Sequence, residues 1–120
     1  MRIAGGLLAA LLAATPLAAE QTSDGIGAWL RGVDKISGDV TDLEVANGAA
    51  ATLGRLTVAV DQCRFPLNNP SGDAFAFLTI TDELSETPVF QGWMIASSPG
   101  LSALDHPRYD VWLLRCMTTS

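Results

Sequence analysis

The sequence predicts an all-β fold, a small single-domain sandwich or barrel of about six to seven short strands. It allows at most one short helical turn, near residues 99–105. Three observations carry this reading. Apolar residues alternate with period two in Arg55–Arg64, Ala74–Asp82 and Tyr109–Cys116, the spacing that sends successive side chains to opposite faces of a strand. Turn residues recur between such runs, at Ser37-Gly38-Asp39, Asn47-Gly48, Gly54 and the loop FPLNNPSGD from Phe65 to Asp73. Beyond the N-terminal apolar run, no segment sustains a helical period past about two turns.

The N-terminus stands apart from this pattern. Arg2 supplies a positive charge, Ile3–Ala14 is apolar, and Thr15-Pro16-Leu17-Ala18-Ala19 ends the run in a helix breaker and small residues. That order reads as a secretory signal peptide over residues 1–19, cut after Ala19. A membrane anchor needs roughly 20 apolar residues, more than this run offers. No cysteine follows it to accept a lipid. The expectation is a periplasmic chain with no stable membrane insertion after cleavage. Residues 20–28 (EQTSDGIGA) read as a flexible leader, and residues 29–120 as a single β domain.

Within that domain the predicted strands run in order. Leu30–Ile36 and Val40–Val45 flank the first turn, and Ala49–Leu53 follows Asn47-Gly48. In Arg55–Arg64, Leu56, Val58 and Val60 share one face, and Ala59, Asp61 and Cys63 the other. Ala74–Asp82 carries apolar bulk on both faces, as a central strand does. Phe90–Ser97 is followed by Ser98-Pro99, the signature of a helix N-cap with proline at the first helical position. Leu101 and Leu104 would pin one turn onto the sheet. The last strand places Trp112, Leu114 and Cys116 opposite Tyr109, Val111 and Leu113.

Composition narrows the function classes. The 13 acidic residues face six basic ones once Arg2 is removed, leaving a net charge near −7 with no basic cluster. Nucleic-acid binding, which needs clustered Lys and Arg to displace counterions, is disfavoured. Two cysteines in an exported chain favour one intramolecular Cys63–Cys116 bridge over two free thiols or an intermolecular link.

Candidate chemistry is sparse. Asp105-His106 near Ser97, Ser98 and Ser102 invites a hydrolase or glycan-active reading, yet a serine nucleophile needs an oriented base and oxyanion donors. His106, between an acid and a proline, reads more simply as a turn residue bonding locally. One histidine and two distant cysteines lack zinc spacing, and Asp34, Asp39, Asp42 and Glu44 lack that of a calcium loop. No cofactor or metal is expected. Trp93, Ser98, His106, Tyr109 and Trp112 form the candidate binding surface, for a peptide, a glycan or a protein partner in the cell envelope.

The segments VDKISGDVTDLEVANG, LTVAVDQCRFP and, most specifically, GWMIASSPGLSALDHPRYDVWLLRC resemble the bacterial domain-of-unknown-function 2155 family over residues 31–116. Its members are small exported proteins found mainly in alphaproteobacteria. The resemblance implies export, a compact domain, cysteines at Cys63 and Cys116, and an envelope role linked to respiratory-complex assembly. It assigns no catalytic residue. Ala49–Ala51 departs from the bulkier strand residues of the family.

Protein recovered from the periplasm should have the intact mass of a chain beginning near Glu20. A full-length species fixed in the inner membrane would show that Ile3–Ala14 is an anchor instead.

Overall fold

The computed structural model describes residues 21–119, so the expected signal peptide lies outside the described residues. Eight strands follow one another: β1 (Thr22–Asp24), β2 (Gly27–Asp34), β3 (Val40–Ala46), β4 (Ala50–Leu53), β5 (Leu56–Pro66), β6 (Phe75–Asp82), β7 (Phe90–Ile95) and β8 (Tyr109–Met117). A single 3-10 turn, Pro99–Leu101, lies between β7 and β8. The strands form two antiparallel sheets. One has the order β1-β5-β6-β7, with β4 also paired to β5; the other is β3-β2-β8. The all-β reading therefore holds, with one strand more than expected.

That extra strand is a correction. Residues 20–28 read as a loose leader, yet Thr22–Asp24 pairs with Arg64–Pro66, and Gly27 and Ala28 already belong to β2. The polar, glycine-containing composition hid the pairing because β1 is too short to show alternation. Its glycine serves a close approach. Gly25 is buried where the chain crosses from one sheet to the other. A Cβ there would lie 2.8 Å from the Met117 carbonyl oxygen and 2.9 Å from the Cys116 Cβ, contacts that only glycine avoids.

The turns follow their residues. Gly38 and Gly48 adopt φ of 82° and 80°, the left-handed conformation the two turn signals require. β4 forms despite its alanines, pairing Ala50–Leu53 with Leu56–Ala59.

Leu56, Val58 and Val60 from β5, Leu78 and Ile80 from β6, and Leu30 from β2 have no exposed surface. Burying such a side chain contributes roughly 1.5–3 kcal/mol. β6 is central, as expected, with Ala76, Leu78 and Ile80 inward.

Both cysteines differ from the predicted facing, for the same reason. In β5 the register jumps between Val60 and Gln62, so Asp61 is an extra residue and Cys63 joins Val60 in the core. In β8, Leu30 opposes Leu113 and Trp29 opposes Arg115, so Leu114 is extra and Cys116 joins Leu113. A bulge adds one residue to one strand and thereby inverts the alternation beyond it. The two cysteines then face each other across the sheets and are bridged, with Cα atoms 5.6 Å apart.

The connector also departs in detail. Ser98 makes no side-chain cap, although Pro99 opens the turn as expected. Leu104 is buried, but Leu101 is 77% exposed and pins nothing. A 3-10 turn of three residues is too short to bring both leucines to one side.

The bridge closes a loop with a sequence separation of 53. Chain-entropy arguments give about 4 kcal/mol for a loop of that size. Replacing Cys63 or Cys116 with Ser should lower stability by roughly 2–5 kcal/mol, and the double variant should be little worse than either single one. Denaturant titration measures this; additive losses would show that the cysteines do not act as one bridge.

Candidate functional site

The residues expected to form one surface are distributed over four places. Tyr109 is 2% exposed and faces the core. Trp112 lies on the outer side of the three-stranded sheet, in register with Arg31, which pairs with Asp42 of β3 at 2.7 Å. Beside that row, the Arg115 guanidinium sits 5.0 Å from the Trp29 ring centroid. This face is covered by its own charges and cation–π contacts. Ser98 is half-buried at the connector, its amide donating to the Ile95 carbonyl. Trp93 alone of the set stands 39% exposed on the outer side of the five-stranded sheet.

His106 is 6% exposed and its acid partner is Asp82, not Asp105. Its Nδ1 accepts the amides of Arg108 at 3.0 Å and Tyr109 at 3.2 Å. The ring proton therefore sits on Nε2 and is donated to Asp82 Oδ2 at 2.8 Å. Asp105 is exposed. The local turn role expected of His106 is present, joined to a long-range hydrogen bond to Asp82 that no spacing in the sequence announces.

Around this pair lies a charged cluster. Arg55 grips Asp82 through Nε and Nη2, and Arg108 grips Asp34 in the same way. Both guanidiniums lie near the Tyr109 ring, at 5.7 Å and 5.2 Å from its centroid. The Tyr109 hydroxyl accepts the Arg55 amide at 3.3 Å. Gly54, with φ of 57°, leaves the room it needs, since a Cβ there would strike that hydroxyl. Arg55 first, then the His106 Nε2–H and the Leu84 amide, hold the Asp82 carboxyl well below its usual range. Arg108, then the Ser37 and Ile36 amides, hold Asp34 at about 2 against an ordinary 3.8. Each group has its partners, so the cluster clamps one end of the sandwich.

The outer side of the five-stranded sheet is different. Cross-strand register builds the rows Gln62–Phe77–Trp93, Ala59–Thr79–Gln91 and Arg64–Phe75–Ile95. Asp61 at the bulge, and Arg64 with Asp24 at 3.7 Å, supply the charge among the rows and their β1 neighbour. Phe77 packs edge-on against Trp93, with ring centroids 5.5 Å apart. Thr22, Arg64, Phe75, Trp93 and Ile95 line a shallow depression of about 320 Å³. Phe75, Ile95 and Thr22 were not singled out in the sequence. The alternation of β6 marks Phe75 as facing away from Leu78, but which outer face stays open depends on the pairing of distant strands. Among the described residues no group of three or more His, Cys, Asp or Glu could hold a metal ion.

A family model described as "Uncharacterized protein conserved in bacteria (DUF2155)" matches residues 28–116. An uncharacterized protein of Rickettsia prowazekii (strain Madrid E) is 29% identical over 87 residues, which cover 70% of this chain and 56% of that protein. The chain thus spans about half the length of this curated relative. No solved structure matches it.

The lowered Asp34 and Asp82 carboxyls fix the sign of an acid effect. Both bind protons more weakly folded than unfolded, so their stabilisation is present above about pH 4 and is lost as pH falls toward 2. Denaturant midpoints should fall across that window. Asp34→Asn should be less stable than wild type at pH 6 and show a shallower fall. Equal slopes for the two proteins would exclude the Asp34 contribution.

Proposed function

The chain belongs to the uncharacterized bacterial family DUF2155, and from that premise we propose that it is a non-enzymatic interaction domain of the cell envelope. It holds a protein partner against the outer face of its five-stranded sheet. The observation that carries this reading is Trp93, 39% exposed beside a depression that it lines with Thr22, Arg64, Phe75 and Ile95. Trp combines a large apolar body with one polar tip, and buried Trp anchors dominate many interfaces. The N-terminal signal pattern and the inter-sheet disulfide support export to the periplasm. Among the described residues no helix is long and apolar enough to cross a membrane. The link to respiratory-complex assembly rests on family resemblance alone.

The alternative, a small hydrolase or glycan-active enzyme centred on Asp105 and His106, draws little from the geometry. Both His106 ring nitrogens are engaged, and Asp105 points away to solvent. A general base needs a nitrogen free to take a proton.

Tagged wild type should recover one partner from envelope extracts, Trp93→Ala should recover at least roughly tenfold less, and Trp112→Ala should recover as much as wild type. Thermal melts would verify that both variants fold. Equal recovery by Trp93→Ala and wild type would remove the outer face from the interaction.

A further inference from the structure

β7 is an edge strand that lacks the usual protection. Proteins guard open sheet edges with charges, prolines, bulges or short strands, because unpaired N–H and C=O groups recruit other chains. The other edges here follow that rule. β3 carries Asp42 and Glu44. β8 carries Asp110, Arg115 and a bulge. β1 has three residues and β4 four. β7 reads FQGWMI over six residues, with no charge, no proline and no bulge.

Its open side can be assigned residue by residue. Ala96 donates to the Ala74 carbonyl, and Phe75 opposes Ile95. Antiparallel strands alternate inward- and outward-facing backbone groups. Met94, Gly92 and Phe90 therefore bond to β6, while Gln91, Trp93 and Ile95 direct N–H and C=O away from it. The Ile95 carbonyl is taken by the Ser98 amide. The backbone groups of Gln91 and Trp93 meet no partner among the described residues. A row of this kind is complementary to an extended polypeptide, whose own groups repeat at the same spacing. Side chains of an added strand would alternate between the Trp93 side and the Gly92 side. At Gly92, a Cβ would meet only the Phe90 ring, at 3.8 Å.

Charge distinguishes the possible occupants. Residues 65–107 contain no Lys or Arg. Glu83 and Glu86 are exposed just before β7, Asp105 is exposed at that same end next to the His106 that bonds Asp82, and Asp73 lies beyond the far end beside Ser97. None of the four forms an ion pair among the described residues. A second copy pairing β7 with β7 in antiparallel fashion would set acids against acids. A different chain with basic flanks would set opposite charges together.

We infer that the open edge of β7 is a β-augmentation site for an extended segment of another protein, uncharged along the length of Gln91–Ile95 and flanked by Lys or Arg. This rests on the interaction reading above and specifies how the partner is held: by backbone pairing, with Trp93 beside it.

A synthetic decapeptide with an alternating Thr/Val core and two lysines at each end serves as the probe, with binding to the purified chain read by fluorescence anisotropy. Gln91→Pro removes an outward N–H that β6 does not use, a change an edge strand tolerates. Saturable binding is expected, weakened at least roughly tenfold by Gln91→Pro and less than about threefold by Gln91→Ala. A peptide with glutamates in place of the lysines should bind at least roughly tenfold more weakly. Hydrogen exchange on wild type keeps the test independent of the variants' folding: bound peptide should slow exchange at the Gln91 and Trp93 amides. Absent saturable binding, equal effects of Pro and Ala, or unchanged exchange at those amides would overturn the proposal. A wild-type dimer dissolved by Gln91→Pro would overturn it too, by assigning the edge to a second copy. Peptide binding lost in Trp93→Ala, with exchange at Gln91 and Trp93 unchanged, would overturn the edge and leave the outer-face reading standing.

Discussion

Cys63 and Cys116 face each other only because each sits two residues beyond an extra residue in its strand, Asp61 in β5 and Leu114 in β8. Without those bulges strict alternation would aim both sulfurs outward, on opposite sides of the sandwich. The bridge ties the two sheets at one end, and the chain turns from β1 to β2 directly against it. There the Gly25 amide donates to the Cys63 carbonyl at 2.7 Å, and the Ile26 amide to the Met117 carbonyl at 2.8 Å. Sheet switching, bulges and disulfide are thus one feature. Each component fits only if the others are present, which accounts for a buried glycine where a side chain would strike Cys116.

The opposite end is held by charge. Asp82–His106, with Arg55 on one carboxylate and Arg108 on Asp34, joins the ends of β2, β6 and β8 and the β4–β5 turn around Tyr109. Breaking a buried pair leaves an uncompensated charge and costs far more than the pair contributes. The cluster therefore specifies how the strand ends meet more than it adds net stability. With one end bridged and the other clamped, the two outer faces are free to diverge. The three-stranded sheet spends its aromatics on arginines, Trp29 under Arg115 and Trp112 beside Arg31. The five-stranded sheet instead packs Trp93 edge-on against Phe77, beside the depression it lines with Arg64 and Ile95.

What the sequence revealed and what it withheld divide along one physical line. Local pattern marked the strands, the glycine turns and the central position of β6, because alternation and left-handed residues are properties of a few neighbours. The facing of Cys63 and Cys116 was not legible, since a bulge is one residue of slippage set by the partner strand. Nor was the acid partner of His106: adjacency pointed to Asp105, while the fold supplies Asp82, 24 residues away. The candidate surface was mixed for the same reason. Trp93, Tyr109 and Trp112 look alike in sequence, yet one is outward on one sheet, one is core, and one is outward on the other. Tyr109 shows this most sharply, its ring carrying two guanidiniums that sequence spacing places 53 residues apart.

The same division explains why β7 can remain open. An edge strand in water has its unpaired amides solvated, so leaving Gln91 and Trp93 without partners costs the fold little. A protective charge on β7 would likewise cost little, as Asp42, Glu44 and Asp110 demonstrate on the other edges. Stability therefore does not dictate the uncharged sequence FQGWMI at this edge. The five-stranded sheet is also wider than the three-stranded one facing it. β7 accordingly pairs with β6 alone, and across the sandwich it meets the connector turn and a small part of β8. A strand supported mainly from one side is the part of a sandwich that can shift by small amounts to accept a neighbour while the bridged and clamped ends stay fixed. The rigidity of those ends and the openness of β7 are complementary outcomes of the same asymmetric sandwich.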